Sequence, residues 1–145
     1  MRGIASVLFL AFIGQAAHAA CDIEIGSTDQ MSFDKTEIVV ERTCENVTLT
    51  LTHTGKLPVN VMGHNWVLSR SEDFNPIATD GMAAGVEKGY LKENDSRVLA
   101  ATKLIGGGEQ TTITFSLSEL TEDEYVFFCS FPGHWAVMKG TFKIV

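Results

Sequence analysis

The sequence predicts an all-β fold, a Greek-key β-sandwich or barrel. Three observations lead to this prediction: short segments rich in β-branched residues recur along the chain, several of them alternate apolar and polar residues, and turn signals separate them. Apolar residues make up 45% of the 145 residues, which is enough to bury one core. Residues 20–145 are predicted to form a single domain.

The first half of the predicted fold contains three strands and one irregular excursion. Strands are predicted over 37–41 and 46–52, and the second of these alternates apolar and polar residues with period two. A third strand is predicted over 59–68 and carries Trp66, which the apolar run around it places in the core. Residues 70–95 lack the alternation, so one or two short helices with loops are expected there.

The second half contains three further strands, which are predicted over 110–117, 125–129 and 139–145. Glycine and proline mark the turns between the runs, at Thr54-Gly55-Lys56, Gly106-Gly107-Gly108 and Pro132-Gly133. Short strands with regular turns are typical of sandwiches and barrels.

Residues 1–19 are predicted to be a secretory signal rather than part of the fold. A short basic start is followed by an apolar run over 4–13 and by small residues that end in an A-x-A pattern at Ala19. A membrane anchor would need about 20 apolar residues. A lipoprotein signal would place a cysteine directly after the cleavage site, and Cys21 is close, but His18 stands where that signal requires leucine or a similar residue. We therefore expect export, without a membrane span, to a bacterial periplasm.

Charge and cysteine content narrow the function classes. The chain has 11 basic and 18 acidic residues, a net charge of −7, and loss of residues 1–19 removes Arg2 and makes it −8. Nucleic acid is therefore not an expected partner, because phosphate binding needs a basic surface.

With three cysteines, at most two can pair within the chain. If Cys21 pairs with Cys44, the thiol of Cys129 is left over in an oxidising compartment.

One loop near the end of the chain combines three potential metal ligands. Cys129, His134 and Met138 follow the spacing Cys-x4-His-x3-Met between two predicted strands. Sulfur ligands together with imidazole favour copper among the first-row metals. A trigonal copper site needs a second histidine, and His64 is the best candidate because it follows Gly63, whose carbonyl can approach a metal closely.

Other interpretations of these residues compete with copper. A single buried cysteine, histidine or methionine is usually a structural residue. His53 is assigned such a role because it lacks ligand spacing, with a pH-linked role as the alternative. Zinc prefers four strong ligands and does not favour the Met138 thioether. A cysteine–histidine hydrolase would need an orienting third group, and the loop offers none. The combination of all three residues in one loop therefore favours copper.

The same residues resemble the azurin group of the cupredoxin family, which comprises blue copper proteins. The resemblance covers nearly all of residues 20–145 and includes Asn60-Val-Met-Gly-His-Asn-Trp-Val-Leu-Ser69, Thr79-Asp-Gly-Met-Ala83, Thr102-Lys-Leu-Ile-Gly106 and the Cys-x4-His-x3-Met loop. It implies a cupredoxin-like fold, one type 1 copper ion and a periplasmic one-electron carrier, not an enzyme, with no small-molecule substrate. The implied partners are small redox proteins such as c-type cytochromes or nitrite reductase.

The resemblance also implies a role for individual residues. His64, Cys129 and His134 would be the equatorial copper ligands, Met138 the axial thioether and the Gly63 carbonyl a weak contact. Cys21 and Cys44 would form the disulfide. Asn65 would tie the two ligand-bearing segments together, and the Phe131 N–H would donate to the Cys129 sulfur. An apolar docking patch around His134 would consist of Met31, Leu57, Met62, Met82, Phe131 and Trp135, and Val61 would be either a further member of the patch or a core residue.

Two further function classes can be compared with an electron carrier. A copper-storage or delivery protein would be expected to carry exchangeable ligands in Met-rich or His-rich tracts, and the sequence has none. A copper oxidase would need a second metal centre. Residues 20–145 contain three histidines, His53, His64 and His134, and two of these are already assigned to one site.

Overall fold

The computed structural model describes residues 21–145, which form two β-sheets around a shared core. The predicted secretory signal over 1–19 lies outside the described residues. In chain order the elements are β1 (Asp22–Thr28), β2 (Ser32–Phe33), β3 (Glu37–Val40), β4 (Asn46–His53), α1 (Val59–Met62), β5 (Val67–Ser69), α2 (Phe74–Gly81), β6 (Ala100–Ala101), β7 (Gln110–Ser116), β8 (Glu124–Phe128) and β9 (Lys139–Ile144). Single 3-10 turns lie at Met82–Ala84, Val86–Lys88 and His134–Ala136.

The chain passes several times from one sheet to the other. One sheet has the order β2-β1-β4-β7 and the other has the order β3-β9-β8-β5-β6. The pairs β1–β4 and β3–β9 are parallel, and the remaining pairs are antiparallel. Because β3 and β5 lie in the opposite sheet to β1, β4 and β7, the connections cross from sheet to sheet. The predicted Greek-key sandwich is thereby confirmed.

Period-two alternation places one face of β4 in the core. Val47, Leu49 and Leu51 are fully buried, whereas the threonines between them are half-buried and face the outer side. Thr48 and Thr50 pair through their hydroxyls with threonines of β7 across that outer face. The same alternation makes His53 the last inward-facing residue of the strand, so a histidine is buried at the end of the core.

Trp66 lies at the centre of the core, as the sequence predicted. Its side chain is fully buried, and its ring lies within about 6 Å, centroid to centroid, of the rings of Phe115, Phe127 and Phe142. These three phenylalanines come from both sheets. Trp66 therefore packs between the two sheets, two positions after His64 along the chain.

The predicted strand over 59–68 is wrong for its first half. Val59–Met62 form a single helical turn, and only Val67–Ser69 form a strand. The reason is Pro58, whose carbonyl accepts the N–H groups of Val61 and Met62 over 2.9 and 3.0 Å and so closes the turn. No side chain of this turn is buried, so its apolar residues lie at the surface instead of alternating into the core.

The predicted excursion over 70–95 is helical in part. It contains α2 and two 3-10 turns, and it closes a second small core formed by Val67, Ile77, Ala78 and Phe128. Arg97 fastens the excursion, because its guanidinium bonds Asp80 and Asp95 at 2.6 Å. Within residues 21–145, no helix has the length and apolar character that crossing a membrane requires.

Cys21 and Cys44 form a disulfide with an S–S distance of 1.99 Å, as the resemblance implied. The bond links the residue before β1 to the segment before β4, at the end of the sandwich away from His53. Cys129 remains as the free cysteine of the described chain, and it is fully buried.

Candidate metal centre

Two segments of the chain bring the predicted ligands to one end of the sandwich. His64 follows the α1 turn and forms an isolated bridge with Ile105. Cys129 comes directly after β8, and His134 and Met138 lie in the loop that leads to β9. All four side chains are buried, with exposed fractions of 3% or less. The four side chains therefore lie in loops at the ends of strands, where the protein shields them from solvent.

The sulfur of Cys129 is the centre of the cluster. It lies 3.8 Å from Nδ1 of His64 and 3.7 Å from Nδ1 of His134, and the three ligand atoms lie within 4.8 Å of one another. The carbonyl oxygen of Gly63 is 3.9 Å from the same sulfur. Glycine is required at 63, because a Cβ there would collide with the Val59 carbonyl oxygen. The arrangement offers one sulfur and two nitrogens that converge on one point.

Burial keeps the three groups uncharged when no metal is bound. Desolvation raises the pKa of the Cys129 thiol to about 12, although the N–H groups of Asn65 and Phe131 act in the opposite direction. Desolvation also lowers the pKa of His134 to about 4 and lowers the pKa of His64. At neutral pH the imidazoles are therefore ready to donate a lone pair, whereas the thiol needs a cation to replace its proton.

The nitrogen of His64 that faces away from the sulfur fixes the ring. Its Nε2 lies 2.8 Å from the carbonyl oxygen of Thr28, so Nε2 carries the proton and Nδ1 presents its lone pair. Thr28 ends β1 and acts through its backbone, so no side-chain pattern could have identified it in the sequence. Such outer contacts are typical of metal-binding histidines.

Asn65 joins the two segments that carry the ligands. Its Oδ1 accepts the Ser130 N–H over 2.8 Å, and its Nδ2 donates to the Gly89 carbonyl over 3.0 Å. Ser130 donates its hydroxyl to the same Gly89 carbonyl over 2.9 Å. The predicted bridging role of Asn65 has this geometric basis. Ser130 and Gly89 were missed, although the position of Ser130 next to Cys129 was the available signal.

His53 touches the cluster without belonging to it. Its ring stacks on the ring of His64 with the centroids 4.5 Å apart. Its Nδ1 accepts the Gly55 N–H over 3.0 Å, so its Nε2 donates to the Met62 carbonyl over 2.9 Å. Both ring nitrogens are thus used by the backbone. The structural role that the sequence assigned to His53 agrees with these contacts.

The residues present suit copper. Two imidazole nitrogens, one cysteine sulfur and a buried methionine form the sulfur-rich donor set that copper prefers. No carboxylate takes part in the cluster of metal-binding groups found among residues 21–145. The cluster therefore lacks the oxygen ligands that a hard cation such as Ca²⁺ or Mg²⁺ prefers.

Comparison with known proteins agrees with this chemistry. The model of the family described as copper binding proteins, plastocyanin/azurin family, matches residues 19–145. The chain belongs to the plastocyanin/azurin family. Among its relatives, the azurin of Pseudomonas chlororaphis is 59% identical over 123 residues, which cover 84% of this chain and 96% of that protein.

Two further azurins match over more of the chain. The azurin of Bordetella pertussis is 52% identical over 95% of this chain and 93% of its own length. The azurin of Pseudomonas aeruginosa is 50% identical over 99% of both chains. Membership of the plastocyanin/azurin family confirms the predicted copper cofactor and the predicted class, a blue copper electron carrier rather than an enzyme.

Proposed function

We propose that His64, Cys129, His134 and Met138 hold one type 1 copper ion, with the Gly63 carbonyl as a weak contact, and that this site carries single electrons between redox proteins of the periplasm. The observation that carries the proposal is the convergence of both imidazole Nδ1 atoms on the Cys129 sulfur, at 3.7 and 3.8 Å. The bound copper ion supplies the redox chemistry, a one-electron change between Cu(II) and Cu(I).

The surrounding residues hold the ligands in one arrangement for both oxidation states. The Thr28 carbonyl orients His64, and the ring of Phe131 stacks on His134 with the centroids 4.4 Å apart. Asn65 fastens the segment of His64 to the segment of Cys129. The Phe131 N–H directed at the sulfur stabilises its negative charge. Rigid ligands rearrange little when an electron arrives or leaves, and a small rearrangement favours fast transfer.

The visible spectrum of the copper-loaded protein tests the ligand assignment. We expect an intense blue absorption band that disappears on reduction and is lost in the variant Cys129→Ser. Cys44→Ser in a Cys21→Ser background is the matched control, because it removes the other two cysteines at the far end of the sandwich. A colourless Cu(II) form of the unaltered protein, or a blue Cys129→Ser variant, would show that the assignment is wrong.

The edge of His134 and the apolar residues around it form the proposed docking patch. Met31, Leu57, Val61 and Met82 are large apolar side chains with exposed fractions between 39% and 51%. Asp29 supports one side of this surface, because its carboxylate accepts the N–H groups of Lys56 and Leu57 over 2.8 and 3.2 Å. Such a surface suits brief contacts between redox proteins.

Other members of the patch are less accessible. Met62 and Phe131 are half-buried. His134 is only 3% exposed, so only the edge of its ring is open to a partner, and we propose that the electron passes there. Trp135 is also half-buried and packs against the second small core. We therefore include only the exposed part of Trp135 in the proposed surface.

A matched pair of lysine substitutions tests the patch. Val61 and Val39 are similarly exposed, at 51% and 47%, but Val39 lies on β3, outside the proposed patch. We expect Val61→Lys to slow oxidation of a reduced c-type cytochrome in stopped-flow mixing and Val39→Lys to leave the rate unchanged. Equal rates in both variants would contradict the patch. Nitrite reductase serves as the second partner in the same assay.

Export is the remaining part of the proposal. The supporting observation is the basic, apolar and A-x-A pattern over 1–19, together with a disulfide that needs an oxidising compartment. Expression of the full chain in bacteria should yield a periplasmic protein whose first residue is Ala20, and residues 20–145 should bind copper as one domain. N-terminal sequencing of the periplasmic fraction tests the cleavage site, and a mature chain that still begins at Met1 would contradict it.

A further inference from the structure

We propose that Tyr90 is a positioning residue for the copper-binding loop, a role that rests on the function proposed above. Its ring meets the ring of Phe131 edge to face, with the centroids 5.1 Å apart and the planes inclined by 71°. Phe131 in turn stacks on His134 at 4.4 Å and 28°. Three rings therefore form a continuous row that leads from the excursion to a proposed ligand.

The backbone at Tyr90 is held in an unusual conformation. Gly89 and Tyr90 are both left-handed, with φ angles of 61° and 53°. This region is open to glycine, but it is disfavoured for a residue with a bulky ring and is often associated with functional sites. The surroundings enforce it, because the Tyr90 N–H donates to the Gly85 carbonyl over 3.0 Å and the Tyr90 carbonyl lies where a Cβ on Gly81 would collide.

The two left-handed residues contact the site in two ways. The Gly89 carbonyl accepts hydrogen bonds from Asn65 and Ser130, which are the neighbours of His64 and Cys129. The next residue, Tyr90, directs its ring to Phe131. A right-handed backbone at 89–90 would turn the carbonyl and the ring in other directions. The left-handed conformation of Gly89 and Tyr90 is therefore explained if the site needs the carbonyl contact and the ring contact at the same time.

Tyr90 is a sensitive point because Phe131 has little other aromatic support. Among the described residues, the ring pairs that include Phe131 are those with Tyr90 and His134. Phe131 is only half-buried, so solvent lies on part of its surface. Loss of the Tyr90 ring would leave the Phe131 ring free to move. The imidazole of His134 would then no longer be held in place by stacking on Phe131.

Three substitutions at Tyr90 separate the ring from the backbone. Tyr90→Phe keeps the ring, Tyr90→Ala removes the ring but keeps a Cβ in the left-handed conformation, and Tyr90→Gly removes both the ring and the strain. Phe74→Ala is the control for general loosening of the excursion, because the Phe74 ring pairs with the ring of Phe128 and belongs to the second small core instead of the row of rings at Tyr90.

Two measurements report on the position of His134. The first is the affinity of the metal-free protein for Zn(II), a redox-inactive probe, measured by competition with a chelator. The second is the electron self-exchange rate of the copper-loaded protein, measured by NMR line broadening. We expect Tyr90→Ala and Tyr90→Gly each to lose about tenfold in Zn(II) affinity. Both should also exchange electrons more slowly, whereas Tyr90→Phe and Phe74→Ala should match the unaltered protein.

Each remaining outcome contradicts the proposal in a recognisable way. Unaltered affinity and exchange in Tyr90→Ala would show that the ring positions nothing. Recovery in Tyr90→Gly would show that only backbone strain matters, and equal losses in Phe74→Ala would show a general loosening. Failure of the proposed copper site is distinguished from all of these, because the unaltered protein would then lack the blue band.

Discussion

The N–H of Cys129 donates a 3.0 Å hydrogen bond to the carbonyl oxygen of Met138. The bond closes the loop between β8 and β9, so the two sulfur-bearing residues at its ends are brought together. Inside the loop, the His134 carbonyl accepts the N–H of Met138 over 2.8 Å in a single helical turn. The Cys-x4-His-x3-Met spacing thus has a physical cause: four residues allow a turn at Pro132-Gly133, and three allow one helical turn.

An insertion in this loop should damage the site. One alanine added between Ala136 and Val137 prevents two hydrogen bonds from forming together: the bond that the Met138 N–H donates to the His134 carbonyl and the bond that the Cys129 N–H donates to the Met138 carbonyl. We expect copper affinity to fall by about tenfold and the visible and EPR spectra to change. The same insertion between Ser118 and Glu119, which are exposed, is the control. An unchanged spectrum in the first variant would argue against Met138 as a ligand.

Metal binding should release one proton from Cys129. The pKa of the thiol is raised to about 12 by burial, so at neutral pH the metal must displace this proton, and affinity rises with pH. We expect a rise of about tenfold per pH unit. Below about pH 4 the dependence becomes steeper, because His134 then also carries a proton that must leave. Calorimetry in buffers of different ionisation enthalpy measures the release, and a pH-independent affinity would refute the assignment.

His53 should contribute more to stability than its lack of a metal-binding role suggests. His53→Leu leaves the Gly55 N–H and the Met62 carbonyl without their partner. It also removes the ring that stacks on His64. We expect a loss of at least about 2 kcal/mol in the free energy of unfolding of the metal-free protein. His53→Gln, which can replace one of the bonds, should lose less. Denaturation with urea measures both, and a neutral His53→Leu variant would contradict the prediction.

The disulfide should stabilise the fold without affecting the metal centre. The Cys21 and Cys44 residues are 23 positions apart, so removal of the bond should cost about 3 kcal/mol by the chain-entropy model. Because the bond lies at the opposite end of the sandwich, the double variant Cys21→Ser/Cys44→Ser should keep its blue band. Thermal unfolding and visible absorption of one sample test both parts. A shifted blue band together with unchanged thermal stability would show that the disulfide acts on the metal centre and not on the stability of the fold.

Some elements of the fold were predictable because their patterns are local. β4 alternates apolar and polar residues because one face is buried, and that pattern is visible in the sequence itself. The run over 59–68 misled the prediction, because the carbonyl of Pro58 closes a helical turn whose apolar side chains stay at the surface. β1 was not singled out at all, although it lies in the middle of a sheet.

By itself, the sequence determined the donor chemistry of this protein. Residue types and spacing in one loop, together with a histidine beside a glycine, were enough to select copper, since ligand preference depends on the side chains themselves. The tertiary structure decided how the donors are held. The Thr28 carbonyl, the Gly89 carbonyl and the Tyr90 ring lie far from Cys129 along the chain. Backbone groups leave no trace in residue type, so only folding shows which carbonyl meets a ligand or the neighbour of a ligand.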